Sequence, residues 1–185
     1  MKENREWIII QNLLIKQITI NDLKSNNWKD ISISNYVIIF GKQLYDAFKC
    51  IDWDLNNDSI ITIDNNNLLL KVIDCFKTYL TIISKYDEDM KIQNIQMFYF
   101  NFKNFKQLNS EVKIIELFRE LLFSYLILDD ANSSLLGSNN LARLMSVLFN
   151  NDFNLLMDLF DNKKHKQNNV VYLSQFKKEI IHNEI

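Results

Sequence analysis

The stretch "LDDANSSLLGSNNLARLMSVLFNNDFNLLMDLFDN", residues 128–162, decides the predicted fold, because only residues 150–152 separate its two apolar segments. Turns this short place neighbouring helices side by side. We interpret residues 133–137 as a one-turn helix that its glycine ends, and Ser138 as the N-cap of the next helix. Asp152 is predicted to cap a third helix. The inward residues are predicted to be Leu141, Leu144, Met145, Leu148, Leu155, Leu156, Leu159 and Phe160.

Apolar residues recur at steps of three and four through most of the remaining chain, which is typical of amphipathic helices. Ser34 is a predicted cap, and Asp64 or Asn65 is another. The segment "SIITI" is predicted to be a short strand or a buried extended piece. The predicted helices cover the N-terminal 20 residues, 34–51, 64–83, 88–107, 110–128, 138–149, 153–161 and 170–182.

The predicted core consists of one apolar stripe from each of these helices. The helix over 110–128 is nearly apolar from Leu121 onward, so we expect it to be the central one. Its stripe is predicted to contain Val112, Ile115, Phe118, Leu121, Leu122 and Leu126. The three preceding helices are predicted to bury Val37, Phe40, Leu44, Ala47, Phe48, Ile51, Leu69, Val72, Ile73, Phe76, Leu80, Ile83, Ile92, Ile95, Tyr99, Phe102 and Phe105.

Composition limits the class of protein. The 185 residues are 48% hydrophobic, which provides enough apolar surface for a folded core and argues against disorder. A net charge of −2 argues against a general nucleic-acid binder. The chain has 25 Asn and 25 Ile but no Pro and only two Gly, a bias that indicates an AT-rich genome. No run of 18 apolar residues is present, so we expect no membrane span.

The side chains most often used in catalysis or metal binding are few. Cys50 and Cys75 form no metal-binding pair, and we expect both to be small buried hydrophobic residues in a reduced, cytoplasmic protein. His165 and His182 have no partner at a recognisable spacing and are expected to be exposed. An enzyme would require the fold to bring His165, Cys50 or Cys75 into one pocket. We predict no catalytic residue and no cofactor.

Residues 52–63 have the spacing of a calcium loop at its early positions. Asp52, Asp54, Asn56 and Asp58 occupy positions one, three, five and seven. The twelfth position, which should supply a bidentate Glu, is Ile63. We interpret this run as a solvated loop and predict no metal site. The aromatic and lysine-containing run "MFYFNFKNFK", residues 97–106, could stack nucleic-acid bases, but the acidic chain favours a core role.

The stretch over 116–161 resembles an armadillo-type repeat. A long apolar helix, an Asn at the turn (Asn132), a short helix with Leu135 and Leu136, and two further helices follow one another. Armadillo-like proteins of the ataxin-ten kind are similar in style. This resemblance implies a non-enzymatic α-solenoid scaffold acting in cell division or growth regulation. It also implies that the chain is the N-terminal part of a longer protein, because solenoids need capping repeats at both ends.

A second resemblance involves residues 140–143, "NLAR". Bcl-type helical regulators, including poxviral ones, have Asn-Trp-Gly-Arg at the start of a helix, and Asn140 and Arg143 match its ends. The Trp and Gly are replaced by Leu141 and Ala142. This resemblance implies a compact helical bundle that inhibits host apoptosis or inflammatory signalling by holding an amphipathic helix in a groove.

The sequence therefore predicts an all-α protein that binds other proteins, with a solenoid fragment and a compact bundle as the two alternatives. We predict one helical domain over 1–185, with a looser part over 1–60 and a repeat-like part over 64–161. The candidate partner-binding residues are Asn140 and Arg143, with Arg143 expected on the exposed side of its helix.

Overall fold

The computed structural model describes residues 5–54, 59–105, 111–125 and 131–161. This part of the chain is mostly helical, which confirms the all-α prediction, and its only sheet has two strands. The elements are α1 (Arg5–Lys24), α2 (Ile33–Phe48), β1 (Ile51–Asp54), β2 (Ser59–Ile63), α3 (Asn65–Ile83), α4 (Glu88–Asn104), α5 (Glu111–Tyr125), α6 (Ala131–Phe149) and α7 (Phe153–Phe160).

Helix α3 lies at the centre of the fold. It contacts α1, α2, α4, α6 and α7, and 11 of its 19 residues are buried. Asp64 accepts a hydrogen bond from the backbone N–H of Asn67 and so caps the helix, as predicted. The predicted stripe is also confirmed except at Leu69, which is half-buried while its neighbour Leu68 is buried. The buried face is wider than expected because Cys75, Tyr79 and Ile82 are buried as well.

The prediction that α5 is the central helix is wrong. Helix α5 contacts α2, α6 and β2 through Ile114, Leu117, Phe118 and Leu121, all of which are buried. Phe118 and Leu121 of the predicted stripe are buried as expected and Ile115 is half-buried, but Leu122 is not inward. The side chains of Val112 and Leu126 lie outside the described residues. Two apolar side chains at the end of the helix face solvent instead, Leu122 at 40% exposure and Phe123 at 70%.

Helix α2 carries its predicted apolar stripe, but its ends differ from the prediction. Ser32, two residues before the predicted Ser34, accepts a hydrogen bond from the N–H of Asn35 and is the N-cap. The helix ends at Phe48, and Ile51 belongs to β1. Strand β1 pairs antiparallel with β2, the predicted "SIITI" segment, with Ile51 opposite Ile63 and a register shift after Asp52.

Helix α6 is continuous from Ala131 to Phe149, so the predicted break at Gly137 is wrong and Ser138 is not a cap. Asn132 lies within this helix instead of at a turn. The Ser138 hydroxyl bonds to the carbonyl of Ser134 and to two side chains of other helices, the Tyr79 hydroxyl at 2.6 Å and the Asn94 Oδ1 at 2.5 Å. These bonds satisfy buried polar groups of α3, α4 and α6 in the core.

The short turn between α6 and α7 is confirmed and explains the asparagines in it. Asn150 and Asn151 have φ angles of 50° and 57°, in the left-handed region that Asn tolerates better than most residues. The Asn151 side chain donates to the carbonyls of Lys103 and Phe105, at 2.9 and 3.3 Å, and thereby attaches the turn to the end of α4. Asp152 caps α7, as predicted.

The predicted inward residues of α6 are all buried, and those of α7 are buried or half-buried. Helix α7 contacts α1, α3 and α6, so the first and last described helices touch. None of the helices in the described ranges is long and apolar enough to cross a membrane. The helix predicted over 170–182 lies outside the described residues.

Candidate functional site

A shallow apolar groove runs between α1 and α4. Its walls come from residues that recur at helical spacing on each helix, which places them on the two facing edges. The groove has a volume of about 170 Å³. Its lining residues are Trp7, Gln11, Leu14 and Ile15 from α1 and Glu88, Lys91, Ile92 and Ile95 from α4.

The inner faces of the two helices hold the groove in place. Ile10 and Leu13 of α1 are buried in the core, as are Phe98 and Phe102 of α4. Burying these four side chains fixes how far each helix is rotated, which leaves the adjacent apolar residues at the surface. The groove is thus a consequence of apolar faces on α1 and α4 that are wider than the core covers.

Two apolar side chains on opposite walls are strongly exposed. Ile15 of α1 is 61% exposed and Ile92 of α4 is 43% exposed, whereas Ile95 is almost completely buried beneath them. At the end of the groove, the Trp7 ring meets Tyr99 edge-to-face, with 5.4 Å between centroids. That contact restricts the rotation of Trp7 and leaves part of its apolar surface available to a ligand.

The rim of the groove is polar. Lys91 donates to the Glu88 carboxylate at 2.9 Å, one turn apart on α4. Asp87 precedes them and caps α4 by accepting from the N–H of Met90, so the acidic run "DED" begins the helix. An apolar floor with a charged rim resembles the usual anatomy of a protein interface.

The two residues predicted to bind a partner lie elsewhere, between α5 and α6. Asn140 is 5% exposed and donates to the Glu120 backbone carbonyl at 3.2 Å. Arg143 forms an ion pair with the Glu120 carboxylate at 2.6 Å, and its guanidinium lies 4.8 Å from the Phe105 ring centroid. With only 22% of its side chain exposed, Arg143 does not lie on the exposed side of α6 as expected. Partner binding by these residues stays a prediction.

The remaining candidate residues are dispersed or lie outside the described ranges. Cys75 is fully buried, as predicted, and burial raises the pKa of its thiol. Cys50 is half-buried, and burial, followed by the charge of Asp64, raises its thiol pKa as well. His165 and His182 lie outside the described residues, as do Asn56 and Asp58 of the calcium-like run. The interpretation of that run as a solvated loop is wrong for Asp52 and Asp54, which belong to strand β1. Within the described residues, no three His, Cys, Asp or Glu side chains are placed to hold a metal ion.

The aromatic run at the end of α4 divides between core and surface. Phe98 and Phe102 are fully buried and stack on each other at 5.8 Å, which confirms the core interpretation for this face. Phe100 is 63% exposed, and Met97 is 36% exposed on the solvent side. Ile92 was also predicted to face inward. That prediction is wrong, because Ile92 is 43% exposed.

Reasoning from the sequence did not find the groove. The sequence contains both the apolar run of α1 and Ile92 of α4. Each was predicted to belong to the one apolar stripe that its helix turns toward the core. The signal that was overlooked is the width of the apolar face, because Trp7, Leu14 and Ile15 lie beside the stripe that contains Ile10 and Leu13. No protein-family model, curated protein or solved structure matches this chain.

Proposed function

We propose that this protein is a non-enzymatic helical module that binds an amphipathic helix of another protein in the groove between α1 and α4. The observation that carries this proposal is the pair of exposed isoleucines, Ile15 and Ile92, on opposite walls above a buried apolar floor. A helix laid between them would cover both side chains. Binding of an apolar helix face in a groove between helices is a recurring mode of recognition.

The groove defines the chemistry of the partner helix. Apolar side chains at positions i, i+3 or i+4, and i+7 would contact Ile15, Ile92 and the Trp7 ring in turn. Removing these apolar surfaces from water contributes roughly 25 cal/mol per Å² that the helix covers. Acidic or basic residues at the edges of the partner stripe would meet Lys91 and Glu88 at the rim.

The arrangement of the helices supports a compact bundle as the scaffold for this groove. In a solenoid each repeat contacts only its neighbours along the chain. Here α1 contacts α7, and α3 contacts helices from both ends of the described chain. We therefore prefer the bundle to the armadillo-like array. A compact bundle with a helix-binding groove was one of the two alternatives that the sequence left open. The groove proposed here lies between α1 and α4, away from Asn140 and Arg143.

The proposal is tested by titrating the protein with a designed amphipathic helical peptide of about 16 residues with one leucine stripe. The double substitution Ile15→Glu and Ile92→Glu places charges on both walls, and we expect it to weaken binding at least about tenfold. The folded state should be unchanged because both side chains are exposed.

The matched control is Leu23→Glu, because Leu23 is an even more exposed apolar residue of α1 that does not line the groove. It should bind the peptide like the unmodified chain. Equal binding by the double variant and the unmodified chain contradicts the proposal. So does an equal loss in the Leu23→Glu variant, because it would indicate non-specific hydrophobic adsorption.

A further inference from the structure

Residues 170–182 have the apolar spacing that the groove between α1 and α4 requires of a partner helix. The sequence predicts a helix over this segment, which lies outside the described residues. Leu173, Phe176 and Ile180, together called the 173–180 stripe, occupy positions i, i+3 and i+7. One face of the predicted helix therefore carries all three. The proposed function requires this arrangement of a helix bound between Ile15 and Ile92.

The predicted helix over 170–182 is amphipathic. Its opposite face carries Ser174, Lys178 and His182, which are polar and recur every four residues. A helix with one apolar face is stable only when that face packs against another element. The 173–180 stripe therefore needs an apolar surface to cover it, and the groove offers one with two exposed isoleucines on its walls.

The groove and the 173–180 stripe have similar lengths. Trp7 and Ile15, at the two ends of the α1 wall, are eight residues apart, which is about 12 Å along a helix. Leu173 and Ile180 are seven residues apart, which is about 10.5 Å. A helix laid along α1 would therefore place the three side chains of the stripe over the whole length of the groove.

The last described residue lies close to the groove. Asp161 forms an ion pair with Lys16, the residue after Ile15 on α1. Residues 162–169 connect Asp161 to the predicted helix, and eight residues span at most about 26–29 Å. That span is about twice the diameter of a helix with its side chains, which is about 10–12 Å. The connection is therefore long enough to pass around α1 and reach the Ile15 end of the groove.

Charge also favours docking of this segment on its own chain. Residues 162–185 include five lysines and two glutamates, a formal charge of +3 with histidine neutral. The whole chain carries −2, so residues 1–161 carry −5. Opposite net charges attract the two parts to each other. In the helical pattern Lys177 lies beside the 173–180 stripe, and Glu88 at the rim of the groove has the opposite charge.

We propose that residues 170–182 dock in the groove between α1 and α4 of their own chain and that a partner helix must displace them. In the docked state the 173–180 stripe covers Ile15, Ile92 and the Trp7 ring. This inference rests on the proposed function, because both helices use the same groove. The short connection keeps the segment at an effective concentration of about 1 mM. The affinity for a partner helix falls in proportion to the fraction of chains whose groove is open.

The indole N–H signal of Trp7, in an NMR spectrum of the ¹⁵N-labelled full chain, reports directly on the groove. The chain has three tryptophans, and Trp7→Phe identifies the signal. Leu173→Glu with Ile180→Glu, the stripe variant, places two charges in the apolar face and should release the segment, so the Trp7 signal should shift. The Trp28 signal should not shift, because Trp28 is buried and donates to Asp22 at 2.7 Å.

The matched control is Val171→Glu with Ser174→Glu, the opposite-face variant. It adds the same two charges to the same segment but on the other face of the predicted helix, so the Trp7 signal should not shift. Phe176→Ser weakens the 173–180 stripe without adding charge and should act like the stripe variant. Circular dichroism checks that every variant is folded, and Phe176→Ser decides the outcome if the stripe variant is not.

Release of the segment should also strengthen partner binding. The designed leucine-stripe peptide should bind the stripe variant about tenfold more tightly than it binds the unmodified chain. The opposite-face variant should bind this peptide like the unmodified chain. A synthetic peptide of residues 168–185, added to the stripe variant, should return the Trp7 signal toward its position in the unmodified chain.

An unchanged Trp7 signal in the stripe variant, or an equal shift in the opposite-face variant, overturns the proposal. So does a Trp7 signal that depends on protein concentration in a sample of dimeric mass, because the segment would then dock on a second copy of the chain. Equal affinity of the unmodified chain and the stripe variant for the designed peptide contradicts this inference alone. Failure of the proposed function is a different result, in which the designed peptide binds neither protein.

Discussion

Helices α3 and α5 are both rich in apolar residues, yet they occupy opposite positions in the fold. Helix α3 contacts five other helices and buries residues on most of its circumference. Helix α5 buries one stripe and leaves Leu122 and Phe123 in solvent. The apolar content of a segment therefore does not determine its depth. Depth depends on how many neighbours cover the helix, and the tertiary arrangement decides that number.

Truncating one phenylalanine in each helix should give the largest difference. Phe76 of α3 is fully buried and stacks on Phe98 at 4.7 Å, so Phe76→Ala should lower the free energy of unfolding by about 3–5 kcal/mol. Phe123→Ala in α5 should change it by less than about 0.5 kcal/mol. Urea denaturation of both variants measures the contrast. Similar losses in the two would refute the assignment of α3 as the centre.

Removing a buried polar contact of α3 should cause the next largest loss of stability. Ser138→Ala removes the partner of the buried Tyr79 hydroxyl and of Asn94, and should cost about 1–2 kcal/mol. Tyr79→Phe acts on the same network. The double variant should therefore lose less stability than the two single losses added together, as a double-mutant cycle would show. Strict additivity would mean that these residues do not form one network.

The buried thiol of α3 makes stability depend on pH. Burial raises the pKa of Cys75, so the folded protein keeps the thiol protonated, whereas the same thiol in the unfolded chain ionises at about pH 8.5. Above that pH the unfolded state binds fewer protons, and stability falls as pH rises. We expect a loss of about 1 kcal/mol between roughly pH 8 and 9.5.

Two cysteine variants test the origin of this slope by denaturation at several pH values. Cys75→Ala should flatten the decline. Cys50→Ser should retain most of it, because Cys50 is only half-buried and its thiol is less strongly affected. An unchanged slope in the Cys75→Ala variant would assign the pH dependence to other groups.

The smallest predicted loss of stability comes from breaking the ion pair between α5 and α6. Arg143→Glu places a carboxylate beside Glu120 and should cost about 0.5–1 kcal/mol, because both side chains are partly exposed. Adding Glu120→Arg should restore most of the loss. Arg119→Glu, at an exposed arginine of α5, is the control and should have almost no effect. Thermal denaturation of the four proteins is sufficient, and a failure of the charge swap to restore stability would argue against the pair.

The sequence was sufficient to predict those parts of the fold that depend on local chemistry. The stripes of α2 and α6 and the caps at Asp64 and Asp152 follow from spacing and side-chain type, and all were predicted. The break at Gly137 was not real, because the Ser138 hydroxyl bonds to α3 and α4 instead of capping a helix. Local sequence cannot distinguish those two roles of a serine.

The candidate sites were harder to predict than the helices. The groove combines residues from helices far apart in sequence, such as Ile15 of α1 with Ile92 of α4. No spacing rule connects such pairs. The prediction for α5 failed for a related reason. Its apolar residues occupy two faces, and the positions of α2 and α6 determine that Leu117 and Leu121 are among the buried ones.

Hydrogen–deuterium exchange of the unmodified chain, resolved by helix, tests the contrast between α3 and α5 most directly. Amides of α3 should exchange slowest, at rates set by global unfolding, because α3 is covered by five helices. Amides of α5 should exchange faster, through local opening of a helix with one exposed face. Equal protection of the two helices, or slower exchange in α5, would contradict the placement of α3 at the centre of the fold.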